Sequence, residues 1–165
     1  MFFIPLYDEN PSKKRPLMTW ALITICFIIF IYQFNLSQRS ELNFIYKYAF
    51  IPDYLNNYYI VSKLTSLDPI LTLITSAFLH AGWMHILGNM LYLYIFGDNV
   101  EDSMGKLKFF LFYVICAIAG SLLQYYSNPS SEIPIVGASG AIAGVLGSYL
   151  ILYPKANIKV FMWII

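Results

Sequence analysis

Long apolar segments alternate with short polar ones along this chain of 165 residues. A helix needs about 20 mostly apolar residues to cross the hydrocarbon core of a bilayer. The pattern predicts four spanning helices, at residues 17–36, 83–100, 107–125 and 135–153, and the start of a fifth near Ile158. The last run is too short to cross a bilayer, so we expect the chain to be the N-terminal part of a longer protein. The predicted fold class is an all-α integral membrane bundle, with residues 1–165 forming a single domain.

The segment between the first two predicted spans, residues 37–82, is long and rich in tyrosine, asparagine and scattered apolar residues. Aromatic rings with polar tips favour the headgroup region, where amphipathic helices also lie. We therefore expect a structured loop with short interfacial helices.

The composition agrees with a membrane protein. Hydrophobic residues make up 59% of the chain and charged residues 12%, with a mean hydropathy of +0.63. These values lie outside the range of ordinary soluble domains. The net charge is only +1, and nucleic-acid binding would need a clustered basic excess. The composition indicates the lipid bilayer as the surroundings and excludes nucleic acid as a partner.

The positions of lysine and arginine predict the orientation, because basic residues are enriched in cytoplasmic loops. A cytoplasmic N-terminus puts seven basic residues inside: Lys13, Lys14, Arg15, Lys106, Lys108, Lys155 and Lys159. It puts three outside: Arg39, Lys47 and Lys63. We therefore expect a multi-pass protein with its N-terminus in the cytoplasm, in the inner membrane of a bacterium. Ser139 then lies near the outer end of the fourth span.

Four polar residues fall at this same depth. His85 and Asn89 are four residues apart and so share one face of the second predicted helix. His80 precedes that helix, and Ser139 stands near the outer start of the fourth. Polar side chains within membrane spans are expensive and commonly functional, so these residues are candidate site residues.

Each candidate also has a structural explanation. Ser139 could be a packing residue, since Gly140 and Gly144 form a GxxxG pattern that lets helices approach closely. Asn89 could form an interhelical hydrogen bond worth about 1 kcal/mol. His85 could be an interior histidine whose ring nitrogens are hydrogen-bonded within the bundle. Two histidines without a nearby carboxylate or thiolate fall short of a metal ligand set, so no metal and no cofactor is expected.

Taken together, three motifs resemble the rhomboid family of intramembrane serine proteases. They are "HAGWMHILGNM", the E-x-x-x-G of Glu101–Gly105, and "GASGAIAGVLGSYLILYPKA", and they occur in the family's order and spacing over residues 75–156. The resemblance implies a six-helix core in which Ser139 is the nucleophile. It implies that His85 and Asn89 stabilise the oxyanion, while His80 braces the first external loop.

The resemblance and the physical chemistry of helix ends together explain the glycines around Ser139. Gly137 and Gly140 would keep the backbone free of bulk where a peptide bond must approach. Amide groups at a helix N-terminus point toward developing negative charge, and one oxyanion donor is typically worth about 3–4 kcal/mol. Gly144 and Gly147 would let a neighbouring helix pack closely, and the resemblance implies that this is the sixth helix. Glu101 and Gly105 are expected to be structural supports.

The chain departs from the family pattern in the general base. Rhomboids take the base from a histidine in the sixth helix, whereas this chain has two histidines, and both match other roles. The 165 residues alone are therefore expected to be inactive. The first loop also lacks the Trp-Arg pair common in the family, since its arginine, Arg39, has no tryptophan beside it.

The sequence thus predicts a serine endopeptidase that cleaves peptide bonds in or near transmembrane segments of other proteins. The alternative is an inactive rhomboid-like protein that binds or escorts transmembrane segments. A transporter would be expected to have paired charged residues at mid-membrane, and the predicted spans contain none. An α/β-hydrolase elbow would need glycine where Ala141 stands.

Overall fold

The structure is a computed structural model that describes residues 2–163 of the chain. The helices are α1 (Leu17–Phe34), α2 (Gln38–Tyr48), α3 (Pro52–Asn56), α4 (Tyr58–Leu64), α5 (Thr72–Thr75), α6 (Trp83–Met104), α7 (Lys106–Ser127) and α8 (Ser139–Leu152). Two 3-10 turns, Pro69–Leu71 and Ser76–Phe78, flank α5. Two strands, β1 (Phe2–Asp8) and β2 (Ile158–Trp163), form a small antiparallel sheet.

The helices α1, α6, α7 and α8 form the core of the bundle. Their buried faces supply most of the apolar core, including Phe30, Leu93, Tyr113 and Val145. Many apolar side chains on the opposite faces are exposed, as expected for helices that contact lipid rather than water. Successive long helices run antiparallel, so α6 and α8 run in the same direction.

Within residues 2–163, two helices, α1 and α7, are each long and apolar enough to cross a membrane. The helix α6 qualifies only together with the segment Pro69–Phe78, from which it is bent by 82°. The helix α8 is apolar but has only 14 residues, which is about 21 Å at 1.5 Å per residue. Length and composition therefore support two or three of the four predicted spans.

The predicted fourth span at residues 135–153 begins too early. The helix starts only at Ser139, because the preceding residues form other backbone contacts. Ile135 exchanges two backbone hydrogen bonds with Phe50, of 2.7 and 3.1 Å. Gly137 has a φ of +120°, which no helix accommodates. Ser139 consequently stands at the first turn of α8 instead of inside a helix.

The prediction of a fifth helix starting near Ile158 is wrong for the described residues. Residues 158–163 form β2, which pairs with β1 from the other end of the chain, so the fold is not purely α. Short apolar runs are compatible with either a strand or a helix, and local periodicity does not separate the two. The pairing with β1 determines that residues 158–163 form a strand. This pairing joins residues about 150 positions apart in the sequence, such as Asp8 and Ile158.

Residues 37–82 are structured, with α2 to α5 and the two 3-10 turns, in agreement with the prediction of a helical loop. Hydrogen bonds tie this segment to the connection between α7 and α8. The Asp53 amide donates to the Ser131 carbonyl at 3.0 Å, and the Asn56 amide group donates to the Pro129 carbonyl at 2.9 Å. The loop therefore supports the segment that leads into Ser139.

Candidate active site

Ser139 lies at the start of α8 beside an open groove. The groove has a volume of about 460 Å³ and is bordered by α7, by the start of α8 and by the turn Ser76–Phe78. Ser139 is exposed and contributes to the groove wall. No side chain caps the N-terminus of α8, and the first amides of a helix lack partners within the helix. The hydroxyl and these donors are thus accessible from one side.

Gly137 brings the two sequence motifs together. A Cβ atom at this position would lie 2.6 Å from both Cε1 and Nε2 of His85 and 3.6 Å from Nδ2 of Asn89. The Gly137 amide donates to the Ser76 carbonyl at 2.9 Å, which fixes the backbone against the groove. The polar face of α6 therefore packs directly on the segment two residues before Ser139.

The contacts of His85 and Asn89 leave hydrogen-bond donors directed at this segment. The Ala81 amide approaches Nδ1 of His85 at 3.4 Å, so Nδ1 is the acceptor and Nε2 carries the proton in the neutral ring. Nδ2 of Asn89 is buried and has no hydrogen-bond partner. An unsatisfied buried donor costs about 1–3 kcal/mol, so the folded state retains a donor that is ready for an acceptor.

His80 lies next to this pair but is fully buried. Its ring stands 5.2 Å from that of His85, and its carbonyl accepts a hydrogen bond of 3.0 Å from the Gln33 side chain of α1. The His80 backbone therefore joins α1 to the segment before α6, while its ring is enclosed and neither ring nitrogen has a hydrogen-bond partner among residues 2–163; its role as a structural support stays a prediction.

The glycines of α8 pack against α7. A Cβ at Gly140 would lie 3.1 Å from the Gly120 Cα atom, and a Cβ at Gly144 would overlap the Cys116 side chain. The close neighbour of Gly144 is therefore α7 and not a sixth helix, whereas a Cβ at Gly147 has nothing of residues 2–163 within 4 Å, so the sixth-helix contact stays a prediction there. Gly120 was not among the predicted residues, although a glycine within a long apolar helix could have signalled such a contact.

Glu101 and Gly105 support the opposite end of α6. The Glu101 carboxylate is 3% exposed and accepts the amides of Met18 and Thr19, at 3.0 and 2.8 Å, and the Thr19 hydroxyl at 2.9 Å. It thus caps the N-terminus of α1 from another helix. Gly105 has a φ of +81° and forms the sharp turn between α6 and α7.

Sequence reasoning missed a polar cluster at this same end of the bundle. Asp8, Asn10, Asn99 and Tyr149 are joined there by hydrogen bonds. The adjacent polar residues Asp98 and Asn99, near the end of the predicted second span, were the available signal. Among residues 2–163, no group of three histidine, cysteine or acidic side chains is arranged to hold a metal ion.

The comparison with protein families decides the identification. The family model described as Rhomboid domain matches residues 68–165, which include Ser139, His85 and Asn89. The chain belongs to the rhomboid family. Its apolar helices and this membership together make it an integral membrane protein.

Several curated rhomboid proteins are similar to this chain. Rhomboid protein 1, mitochondrial, of Saccharomyces cerevisiae is 38% identical over 109 residues, which cover 64% of this chain and 30% of the relative. Rhomboid protease GluP of Bacillus subtilis is 38% identical over 54% of this chain and 17% of its own length. Rhomboid protease GlpG of Haemophilus influenzae is 34% identical, with coverages of 53% and 44%. The chain thus spans less than half the length of each relative.

Proposed function

We propose that this rhomboid-family protein is an intramembrane serine endopeptidase with Ser139 as its nucleophile. The observation that carries the proposal is the packing of His85 and Asn89 against Gly137, two residues before an exposed serine at a helix start. Relatives named as rhomboid proteases support the same function. Simple helix packing would explain the glycines of α8, but it would not explain an unpaired donor on Asn89.

In the proposed mechanism, the Ser139 hydroxyl attacks a peptide carbonyl while a base takes its proton. The negative charge that develops on the carbonyl oxygen is stabilised by the amide at the start of α8, by Nδ2 of Asn89 and by Nε2–H of His85. Donors prearranged in a water-poor site act strongly on this charge. The leaving amine accepts a proton from the base, and water then hydrolyses the acyl-enzyme.

The base is proposed to come from outside these 165 residues. The chain's two histidines are His80, which is buried, and His85, whose Nε2–H is assigned to the oxyanion in the proposed mechanism. General-base assistance is typically worth about 10² to 10⁴ in rate. The 165-residue chain alone should therefore turn over substrate far more slowly than the native gene product.

The proposed substrates are transmembrane segments of other membrane proteins. A transmembrane helix hides its carbonyl groups in its own hydrogen bonds, so cleavage requires a segment that unwinds readily at the scissile bond. The groove beside Ser139 would receive that unwound stretch. We propose an N-terminus in the cytoplasm, which places Ser139 near the outer surface. The curated relatives come from bacteria and from eukaryotes, and the lysine and arginine bias concerns orientation and not the organism, so the bacterial inner membrane is a proposal.

The rival function is an inactive protein that binds or escorts transmembrane segments, and the assignment of both His80 and His85 to roles other than the base is compatible with it. Proteolysis in liposomes separates the two. The native gene product should cleave a co-reconstituted membrane protein, and Ser139→Ala should abolish cleavage. Ser121→Ala is the matched control, since Ser121 lines the same groove from α7. Binding of the substrate without Ser139-dependent cleavage would favour the rival.

A further inference from the structure

One carboxylate oxygen near the N-terminus bridges two helices of the bundle. Oδ2 of Asp8 accepts a hydrogen bond of 3.0 Å from Nδ2 of Asn99 in α6, and it also accepts the hydroxyl of Tyr149 in α8. Both donors are buried, with exposed fractions of 2% for Asn99 and 1% for Tyr149. Hydrogen bonds to a charged acceptor are about twice as strong as neutral ones.

The two bridged helices are those that carry the proposed catalytic groups. Asn99 lies ten residues after Asn89 on α6, and Tyr149 lies ten residues after Ser139 on α8. At 1.5 Å per residue, each bridged residue is about 15 Å along its helix from the site. Because α6 and α8 run in the same direction, a link between their C-terminal halves fixes the position of α8 along the axis of α6. It thereby also fixes the distance between the residues at their N-terminal ends.

Asp8 is itself held in place by its neighbours. It ends β1, and the pairing with β2 continues past it through the Glu9 amide, which donates to the Asn157 carbonyl at 2.9 Å. The Asn10 side chain donates to Oδ1 of Asn99 at 2.9 Å, which leaves Nδ2 of Asn99 to donate to Asp8 and to Oδ1 of Asp98, each at 3.0 Å. The residue that bridges the two helices therefore belongs to β1, and the pairing of β1 with β2 holds it in place from outside the helical bundle.

We infer that Asp8 is a positioning residue that holds α6 and α8 in the relative position needed for catalysis, an inference that rests on the proposed function. Asp8 touches neither Ser139 nor the oxyanion donors. It acts through Asn99 and Tyr149, whose helices fix the separation between Ser139 and Asn89. A misplacement of about 1 Å by a distant change can lower a rate about 10²-fold.

The first test measures kcat and KM of the native gene product and three variants with a transmembrane substrate in liposomes. Asp8→Ala removes the bridge, and Tyr149→Phe removes one hydroxyl from it. Glu9→Ala is the matched control, since Glu9 is the next carboxylate along the strand and pairs with Lys159 instead of a helix. Rates are expressed per active site titrated with a fluorophosphonate.

We expect kcat to fall about ten-fold or more for Asp8→Ala and Tyr149→Phe at unchanged KM, with less than a two-fold change for Glu9→Ala. The double variant should be no slower than the slower single one, because both changes break the same link. A lower melting temperature with unchanged kcat per active site would show a purely structural role and overturn the inference. Tyr149→Phe keeps this test decisive if Asp8→Ala fails to fold.

A second measurement does not depend on proteolysis. Hydrogen–deuterium exchange at residues 136–141 should be faster in Asp8→Ala and in Tyr149→Phe than in the parent, and unchanged in Glu9→Ala. Unchanged exchange in all variants would overturn the inference even if the protein is an active protease. Absence of cleavage by the parent would instead contradict the proposed function, while the exchange rates would still decide whether Asp8 holds the helices.

Discussion

At the scale of single residues, the environment of Gly137 is the most restrictive in the proposed site. Its φ of +120° belongs to a region that other residues rarely adopt, and a side chain there would meet the His85 ring. Backbone strain of this kind costs about 1–3 kcal/mol. The glycine thus permits both the turn into α8 and the close approach of α6.

Gly137→Ala should therefore lower the melting temperature and displace His85, with a loss of about 2 kcal/mol or more in the free energy of unfolding. Gly147→Ala is the matched control on α8, because nothing lies within 4 Å of its Cβ position. Alanine is favoured over glycine within a helix by up to about 1 kcal/mol, so the control should be as stable as the parent or slightly more so. Thermal unfolding in detergent checks both. Equal stability of the two variants would contradict the packing described for Gly137.

The variant Asn89→Ala distinguishes a catalytic role of this side chain from a role in interhelical packing. Because its Nδ2 has no hydrogen-bond partner among residues 2–163, Asn89→Ala removes no hydrogen bond that the structure describes for that group. We expect kcat to fall about 10²- to 10³-fold, with a melting temperature close to that of the parent. Gly88→Ala, at the adjacent position with open space around it, is the control. A large fall in melting temperature with little change in kcat would assign Asn89 to packing.

At the scale of elements, local pattern predicted the helices α1, α6 and α7 and the placement of Ser139 near a helix start. It did not predict that α8 begins only at Ser139, because the bridge from Ile135 to Phe50 joins segments far apart in sequence. It also missed β2, whose partner β1 lies at the other end of the chain. Hydrophobic periodicity reports which faces are apolar, but it does not report long-range backbone pairing.

The cap on α1 can be tested at this scale. Glu101→Gln replaces one acceptor oxygen with a donor, which must face either the Met18 amide or the two Thr19 donors. We expect both Glu101→Gln and Glu101→Ala to lose about 1–3 kcal/mol of stability, since buried donors lose their acceptor. Asp102→Asn is the control, because its contacts with Lys13 and Lys14 are exposed or long. A melting temperature unchanged by Glu101→Gln would refute the capping role.

At the scale of the whole molecule, polar side chains gather at two ends of the bundle. One end holds Ser139 with the proposed oxyanion donors, and the other holds the Glu101 cap and the polar cluster around Asp8. The bias of lysine and arginine predicts that the second end lies in the cytoplasm. Substrate access, orientation and the link through Asp8 are therefore properties of the assembled bundle and not of any one motif.

Orientation can be measured with single cysteines at Ser130 and Lys155, in a background where Cys26 and Cys116 are replaced by alanine. Both positions are exposed and lie beyond opposite ends of α8. An impermeant thiol reagent added to intact cells should label the cysteine at 130 and not the one at 155, while both should label after lysis. The reverse pattern would place Ser139 near the cytoplasmic surface and reject the proposed orientation.

Labelling of the native gene product with a fluorophosphonate tests most directly whether Ser139 is an activated nucleophile. The reagent reacts with a serine hydroxyl only when its proton is removed efficiently. We predict strong labelling of the parent and of Ser121→Ala, and none of Ser139→Ala, in matched detergent. Absence of labelling in the parent, or equal labelling of Ser139→Ala, would contradict the assignment of Ser139 as the nucleophile of a serine protease.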